Sequence, residues 1–120
     1  MNKKTVVLGA SANSSRYSFL AVTRLIAHGH TVIAIGKKKG KINNEEIITE
    51  SPQLHDVDTI TLYLNPQNQK KYYDYILSLH PKRIIFNPGA ENDELASLAK
   101  KNKIQPMYAC TLVLLSTNQY

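Results

Sequence analysis

The chain opens with a run that has no polar face. Thr5, Val6, Val7 and Leu8 are β-branched or apolar without alternation, and Gly9 ends the run. Such an unbroken run predicts a strand covered on both sides, as in a parallel sheet flanked by helices. Residues 10–17 are mostly small and polar. Phe19, Val22, Leu25 and Ile26 then recur at spacings of three and four, which places them on one helical face. Gly29 stands where a helix stop is expected. Residues 31–35 form a second β-branched run. Residues 5–35 therefore predict strand, loop, helix, strand, which is a βαβ unit.

The pattern then repeats. Residues 58–64 read as a strand, followed by Asn65 as a helix cap and Pro66 at the first helical position. Tyr72, Tyr75, Ile76 and Leu79 share a helical face, and Pro81 stops that helix. Arg83, Ile84, Ile85 and Phe86 predict a short strand, and Asn87, Pro88 and Gly89 a turn. Glu91, Asp93 and Glu94 open a helix whose positive end favours acids. Leu95, Leu98 and Ala99 form its buried stripe. Residues 104–108 predict a last strand, while residues 110–115 fit either a strand or a helical turn. Residues 37–50 have no clean period; Ile42, Ile47 and Ile48 mark at most a short edge strand. The alternation implies an α/β, three-layer, doubly wound, Rossmann-like parallel sheet in one domain. Ligands of such sheets sit at the carboxyl ends of the strands. That rule selects four loops: residues 9–16, 36–38, 64–65 and 87–89.

The length of 120 residues suits one domain. No apolar run approaches the length needed to span a bilayer, so no membrane-spanning segment is expected. Lys3 and Lys4 before Val6 superficially resemble a secretory leader, but the apolar run is too short, and a cytoplasmic protein is expected. One Cys excludes an intramolecular disulfide. Charge changes the picture more. The net charge is +6, and residues 1–44 hold eight Lys and Arg with no Asp or Glu. An anionic partner for that third of the chain is implied. The candidates are a phosphate-bearing small molecule, a nucleic acid or a membrane surface.

The loop after the first strand narrows the choice. A dinucleotide fingerprint there reads Gly-x-Gly-x-x-Gly. This chain has Gly9, Ala10, Ser11, Ala12, Asn13 and Ser14, so the second and third glycines are replaced by serines. Small residues still admit a diphosphate to the backbone, and a helix N-terminus follows. Arg16 in the first turn opposes the helix dipole unless an anion sits beside it. The bland alternative is that Ser14 or Ser15 caps the helix and Arg16 is solvated. The second strand ends in Gly36 and Lys37 to Lys39, without the acid that an NAD ribose needs. A lysine at that place suits a ribose phosphate, as in NADP or coenzyme A. Lys37, nearest the strand, is the candidate; Lys39 and Lys41 read as solvated.

With residues 5–12, the Arg16-Tyr17-Ser18 step, residues 28–35 and residues 87–94 in this order, the chain resembles the stand-alone CoA-binding domain proteins of bacteria. These are similar to the CoA-binding domain of the succinyl-CoA synthetase alpha chain. The Tyr108-Ala109-Cys110 step falls where that family has a late cysteine. The resemblance implies coenzyme A, or an acyl-CoA, bound across the strand ends by a binding or regulatory module. Gly9, Ala10, Ser11, Asn13 and Ser14 would line the phosphate loop, with Arg16 and Ser18 completing it. Gly36 and Lys37 would flank the adenosine, Leu64 and Asn65 would form the far wall, and Asn87, Pro88 and Gly89 would face the pantetheine. One departure stands out: the family commonly has Asn-Pro after the second strand, where this chain has Gly36-Lys37.

No catalytic constellation is visible. The synthetase's phosphorylated histidine lies in a second domain, and His28, His30, His55 and His80 form no metal pair. His28 and His30 read as surface residues. Cys110 reads as a small buried hydrophobe; the sharper alternative is exchange with CoA disulfide. Tyr72, Tyr73 and Tyr75 read as core and rim. An NADP-linked oxidoreductase would need a proton-relay Tyr-x-x-x-Lys, and neither Tyr17 nor Tyr63 has its lysine. A nucleic-acid-binding protein would need a reading motif, and the basic residues have none.

Overall fold

The computed structural model describes residues 2–120. Its strands are β1 (Thr5–Leu8), β2 (Val32–Ile35), β3 (Gly40–Ile42), β4 (Glu45–Ile48), β5 (Thr59–Leu62), β6 (Arg83–Phe86) and β7 (Gln105–Tyr108). Its helices are α1 (Tyr17–Ala27), α2 (Pro66–Gln69), α3 (Tyr73–Ser78), α4 (Asp93–Lys101) and α5 (Thr111–Ser116), with a 3-10 turn at Lys70–Tyr72 between α2 and α3. One seven-stranded sheet has the order β3-β4-β2-β1-β5-β6-β7. Only the β3–β4 pair is antiparallel. Without β3, this is the doubly wound order, and the direction of winding reverses between β1 and β5.

The unbroken apolar runs are explained by coverage on both faces. Successive side chains of a strand point to opposite sides. Val6 and Leu8 therefore join Ile60, Leu62, Ile84 and Phe86 beneath α3 and α4, where Ile76, Leu95 and Ala99 complete the layer. Val7 joins Val32, Ala34 and Ile47 on the other face, against Val22 and Leu25 of α1 and Leu115 of α5. Each fully buried Val, Leu or Ile contributes about 1.5–3 kcal/mol relative to exposure.

Two elements differ from the sequence reading, and a third, left open between strand and helical turn, is decided. Residues 37–50 form a hairpin rather than one edge strand, with Asn43 at φ 55° in its turn. Only Ile42 and Ile47 of that hairpin are buried, so its alternation is too short to stand out among the charges. The helix expected to start at Pro66 and carry Tyr72 to Leu79 is split into α2 and α3 by the 3-10 turn at Lys70–Tyr72. The segment after Cys110 is a helix. The α1 cap also differs: Arg16 is the N-cap residue and no side chain caps the helix, so neither Ser14 nor Ser15 does so.

The two ends of the strands are built differently. At the amino edge, Lys3 Nζ donates to the Tyr120 carbonyl at 2.6 Å, and the Tyr120 and Thr5 hydroxyls bond each other. Arg83 Nε donates to Thr59 Oγ1 at 2.8 Å, and its guanidinium lies 4.4 Å from the Tyr120 ring centroid. His30 is half-buried, not a surface residue: its Nδ1 accepts from the Lys3 N–H at 2.9 Å and its ring packs on Tyr120. Burial, with nearby positive charge from His28, Lys3 and Arg83, lowers its pKa below 6.5.

The β7 margin carries Pro106. Gln105 N–H donates to Lys82 O and Ala109 N–H to Phe86 O, so the odd-numbered residues face β6. Pro106 consequently faces outward, where its missing N–H leaves no gap in the ladder.

Candidate functional site

At the carboxyl edge, the loops after β1, β2, β5 and β6 enclose a cleft of about 840 Å³. It lies over the point where the sheet's winding reverses. Its near wall is the β1–α1 loop. Gly9 has φ +100°, and a Cβ there would sit 3.0 Å from the Tyr63 backbone, so only glycine lets the chain turn this close to β5. The N–H groups of Gly9 and Ala10 both donate to Ile35 O at 2.9 Å. Ser11 Oγ accepts from Asn13 N–H at 3.1 Å. Asn13 Oδ1 accepts from the Ser15 N–H at 3.0 Å and the Ser15 hydroxyl at 2.7 Å, and Asn13 O accepts from Arg16 N–H at 3.0 Å. The loop is thus shaped by its own polar groups.

The same bonds show which donors are left over. The backbone N–H groups of Ser11, Ala12, Ser14, Tyr17 and Ser18 have no acceptor among the described residues. Two of them belong to the start of α1, where the dipole adds partial positive charge. Arg16, Lys37, Lys38 and Lys39 are the charged side chains of the lining, and no acid lines the cleft among the described residues. Unpaired amides, a helix start and cations together favour an anion with several charges.

The far wall is tied together by a buried side chain. Gln69 is 0% exposed. Its Nε2 donates to Leu64 O and to Ala90 O, each at 2.8 Å, and its Oε1 accepts from Asn92 Nδ2 at 2.9 Å. Leu64 and Ala90 both line the cleft, so one amide fixes the spacing of the β5 and β6 loops. Asn65 caps α2 by accepting from Asn68 N–H at 2.9 Å. Tyr63 lines the floor. Its hydroxyl is buried without a hydrogen-bond partner, and burial pushes its pKa well above 10, so it stays neutral.

Of the residues singled out from sequence, Gly9, Ala10, Ser11, Asn13, Arg16, Ser18, Gly36, Lys37, Leu64, Asn65, Pro88 and Gly89 line this cleft. Ser14 and Asn87 do not. Ser14 is exposed, and its neighbour Asn13 supplies the loop's side-chain bonds. Asn87 is buried and saturated: it donates to Thr61 Oγ1 at 2.6 Å and Leu62 O at 2.8 Å, and accepts from Thr111 N–H at 2.9 Å. Its role is to join β5, β6 and the start of α5. Lys39, read as solvated, lies in the lining, as does Lys38. Tyr17, Tyr63, Asn68, Tyr72 and Ala90 also line it and were not singled out. Cys110 is half-buried at the N-cap of α5 and lies outside the lining.

Among the described residues, no group of three or more His, Cys, Asp or Glu is placed to hold a metal ion. Also among them, no helix is long and apolar enough to cross a membrane.

Comparison with known proteins bears on the fold and the family. The chain superposes on a crystal structure titled as that of an uncharacterized protein with a TM-score of 0.98 and 52% identity, covering 100% of this chain and 99% of that one. It matches a hypothetical protein from Pyrococcus horikoshii OT3 with a TM-score of 0.86 at 18% identity, over 96% of this chain and 82% of that one. A Thermus thermophilus protein, cell-free ID.343, gives 0.85 at 20% identity, over 98% and 90%. These last two show the shared fold. No curated protein matches the chain. A model of the CoA binding domain matches residues 3–116, nearly the whole length, and the chain belongs to that family.

Proposed function

We propose that the cleft binds coenzyme A or an acyl-CoA, and that the protein acts as a binding or regulatory module. In this reading the diphosphate lies on the β1–α1 loop, against the free N–H groups and Arg16. The ribose phosphate lies toward Lys37 and Lys38, and the pantetheine runs along Pro88 and Gly89. The observation that carries the reading is the set of unpaired backbone N–H groups beside Arg16 in a cleft without acids. Family membership supports coenzyme A among the possible polyanions. The missing acid at the end of β2 argues against NAD, which lacks the ribose phosphate.

Thermal shift with coenzyme A, acetyl-CoA, dephospho-CoA, NADP, NAD and a DNA duplex separates the readings. A ligand at about 100 times its Kd stabilises the fold by roughly 2.7 kcal/mol, which is readily seen as a rise in Tm. Coenzyme A and acetyl-CoA are expected to raise Tm most, with NAD and DNA inert. No shift with about 1 mM coenzyme A on folded protein overturns the reading. An equal or larger shift with NADP moves the assignment to a dinucleotide site.

A further inference from the structure

The β1–α1 loop is seated on two glycines outside it. A Cβ on Gly36 would stand 2.2 Å from the carbonyl oxygen of Ala10. A Cβ on Gly40 would stand 2.8 Å from the Cβ of Ala12. Neither glycine has a positive φ, so it is space, not backbone freedom, that each position needs. For the sheet alone, glycine inside β3 is a poor choice, since it packs nothing and weakens a strand. The approach of Ala12 gives it a reason. Ala10 is held on both sides: its N–H donates to Ile35 O and its carbonyl lies over Gly36. The N–H groups of Ser11 and Ala12 follow directly and are left without acceptors.

We propose that Gly36 and Gly40 are positioning residues of the phosphate site. Their missing side chains hold the loop in its anion-binding shape before any ligand arrives. This inference rests on the phosphate-binding reading above. A loop fixed in advance avoids the loss of apparent affinity that comes from populating the competent shape only part of the time. It also explains why the anion site reaches across to β2 and β3: the ends of those strands form its bed.

The test uses amide NMR of the full chain, titrated with inorganic pyrophosphate and with coenzyme A. In the wild type, the amides of Ser11, Ala12, Ser14, Tyr17 and Ser18 are expected to shift with both ligands. If they shift with neither, the phosphate reading itself falls, and this inference with it. Gly36→Ala is expected to keep the β1, β5 and β6 amides in place, to move those of residues 9–13, and to weaken both ligands at least tenfold. Gly40→Ala is expected to weaken both about threefold or more. Adding Ala12→Gly to Gly40→Ala removes the atom that the new methyl meets, and is expected to recover most of the loss. A purely structural role of Gly40 in the hairpin would not be rescued this way. The proposal is overturned if folded Gly36→Ala binds both ligands within twofold of wild type. It is also overturned if Gly40→Ala loses nothing, or loses affinity that Ala12→Gly does not restore. Should Gly36→Ala fail to fold, the Gly40 pair decides.

Discussion

The two edges of the sheet are made from the same strands and end in opposite states. At the amino edge, Lys3, Thr5, His30, Thr59 and Tyr120 find partners in each other, and the Arg83 guanidinium lies on the Tyr120 ring. One atom there is left over, Arg83 Nη2, which is buried without a hydrogen-bond partner. At the carboxyl edge, the backbone N–H groups of Ser11, Ala12, Tyr17 and Ser18 and four cationic side chains are left without a protein counterpart among the described residues, all in one cleft. Buried polar groups are ordinarily paired, whereas a solvent-open cluster of donors and cations of one sign favours an anion electrostatically. The comparison separates a closure that holds the fold from an opening that serves it. It also resolves the cationic first third of the sequence. Lys3 and Lys4 belong to the closed edge, Arg24 is exposed on α1, and Arg16 with Lys37 to Lys39 faces the opening.

If the edges are independent, changes at one should leave the other untouched. The largest effect is expected from Arg16→Glu, which reverses the charge beside the free N–H groups. Coenzyme A affinity, measured by calorimetry, should fall at least about a hundredfold with Tm held or slightly raised, since Arg16 is exposed, caps nothing by its side chain and opposes the α1 dipole that a Glu would complement. Affinity within threefold of wild type would remove Arg16 from the site. Next, Tyr120→Ala empties the closed edge. It should cost about 2–4 kcal/mol in urea unfolding, as for other large aromatics truncated in packed surroundings. Coenzyme A affinity, measured where the variant is still folded, should not change. A parallel loss of affinity would show that the two edges are coupled.

A smaller effect is expected from Lys37→Ala: about a fivefold loss for coenzyme A and little for dephospho-CoA, with a shallower dependence on salt. Equal losses for both ligands would take Lys37 away from the ribose phosphate. The smallest effect concerns pH. The pKa of His30 is lowered in the folded protein, so the unfolded chain binds the proton more readily. Its contribution to stability is complete above about pH 6.5, the unfolded value, and is lost as pH falls from there toward the folded pKa. Protonation would also cost the bond that Nδ1 accepts from Lys3 N–H. His30→Gln should flatten the decline of Tm between about pH 7 and pH 5, while the pH dependence of ligand binding stays as in wild type. An unchanged Tm profile would count against the His30 assignment.

Much of the architecture was legible because burial on both faces writes itself into composition. The runs at Val6, Ile33 and Ile84 need no partner to be recognised. The cleft was legible as a place, from the rule that ligands gather at strand carboxyl ends. Its residues were legible only where chemistry is local, as for Gly9, Ser11 and Arg16. Gln69 was not, because in a polar stretch from Asn65 to Lys71 nothing distinguishes the one side chain that turns inward. Its partners are backbone carbonyls, which have no signature in a sequence. Asn87 was misplaced for the related reason that a turn residue offers its amide equally to a ligand or to neighbouring strands. The hairpin over Gly40 and Ile47 was obscured because only one residue of each strand is buried. The seat at Gly36 was invisible, since the need for a missing side chain comes from a carbonyl 26 positions away.

Pro106 has a consequence beyond its own strand. A margin of parallel strands offers a template onto which another chain can zip, and such growth is the first step toward fibres. With its outward N–H deleted, β7 cannot supply that donor at its centre, so the ladder ends within the molecule. Crowding copies of the protein together should therefore not extend the sheet past this margin, and the side farthest from the hairpin stays inert without a covering element.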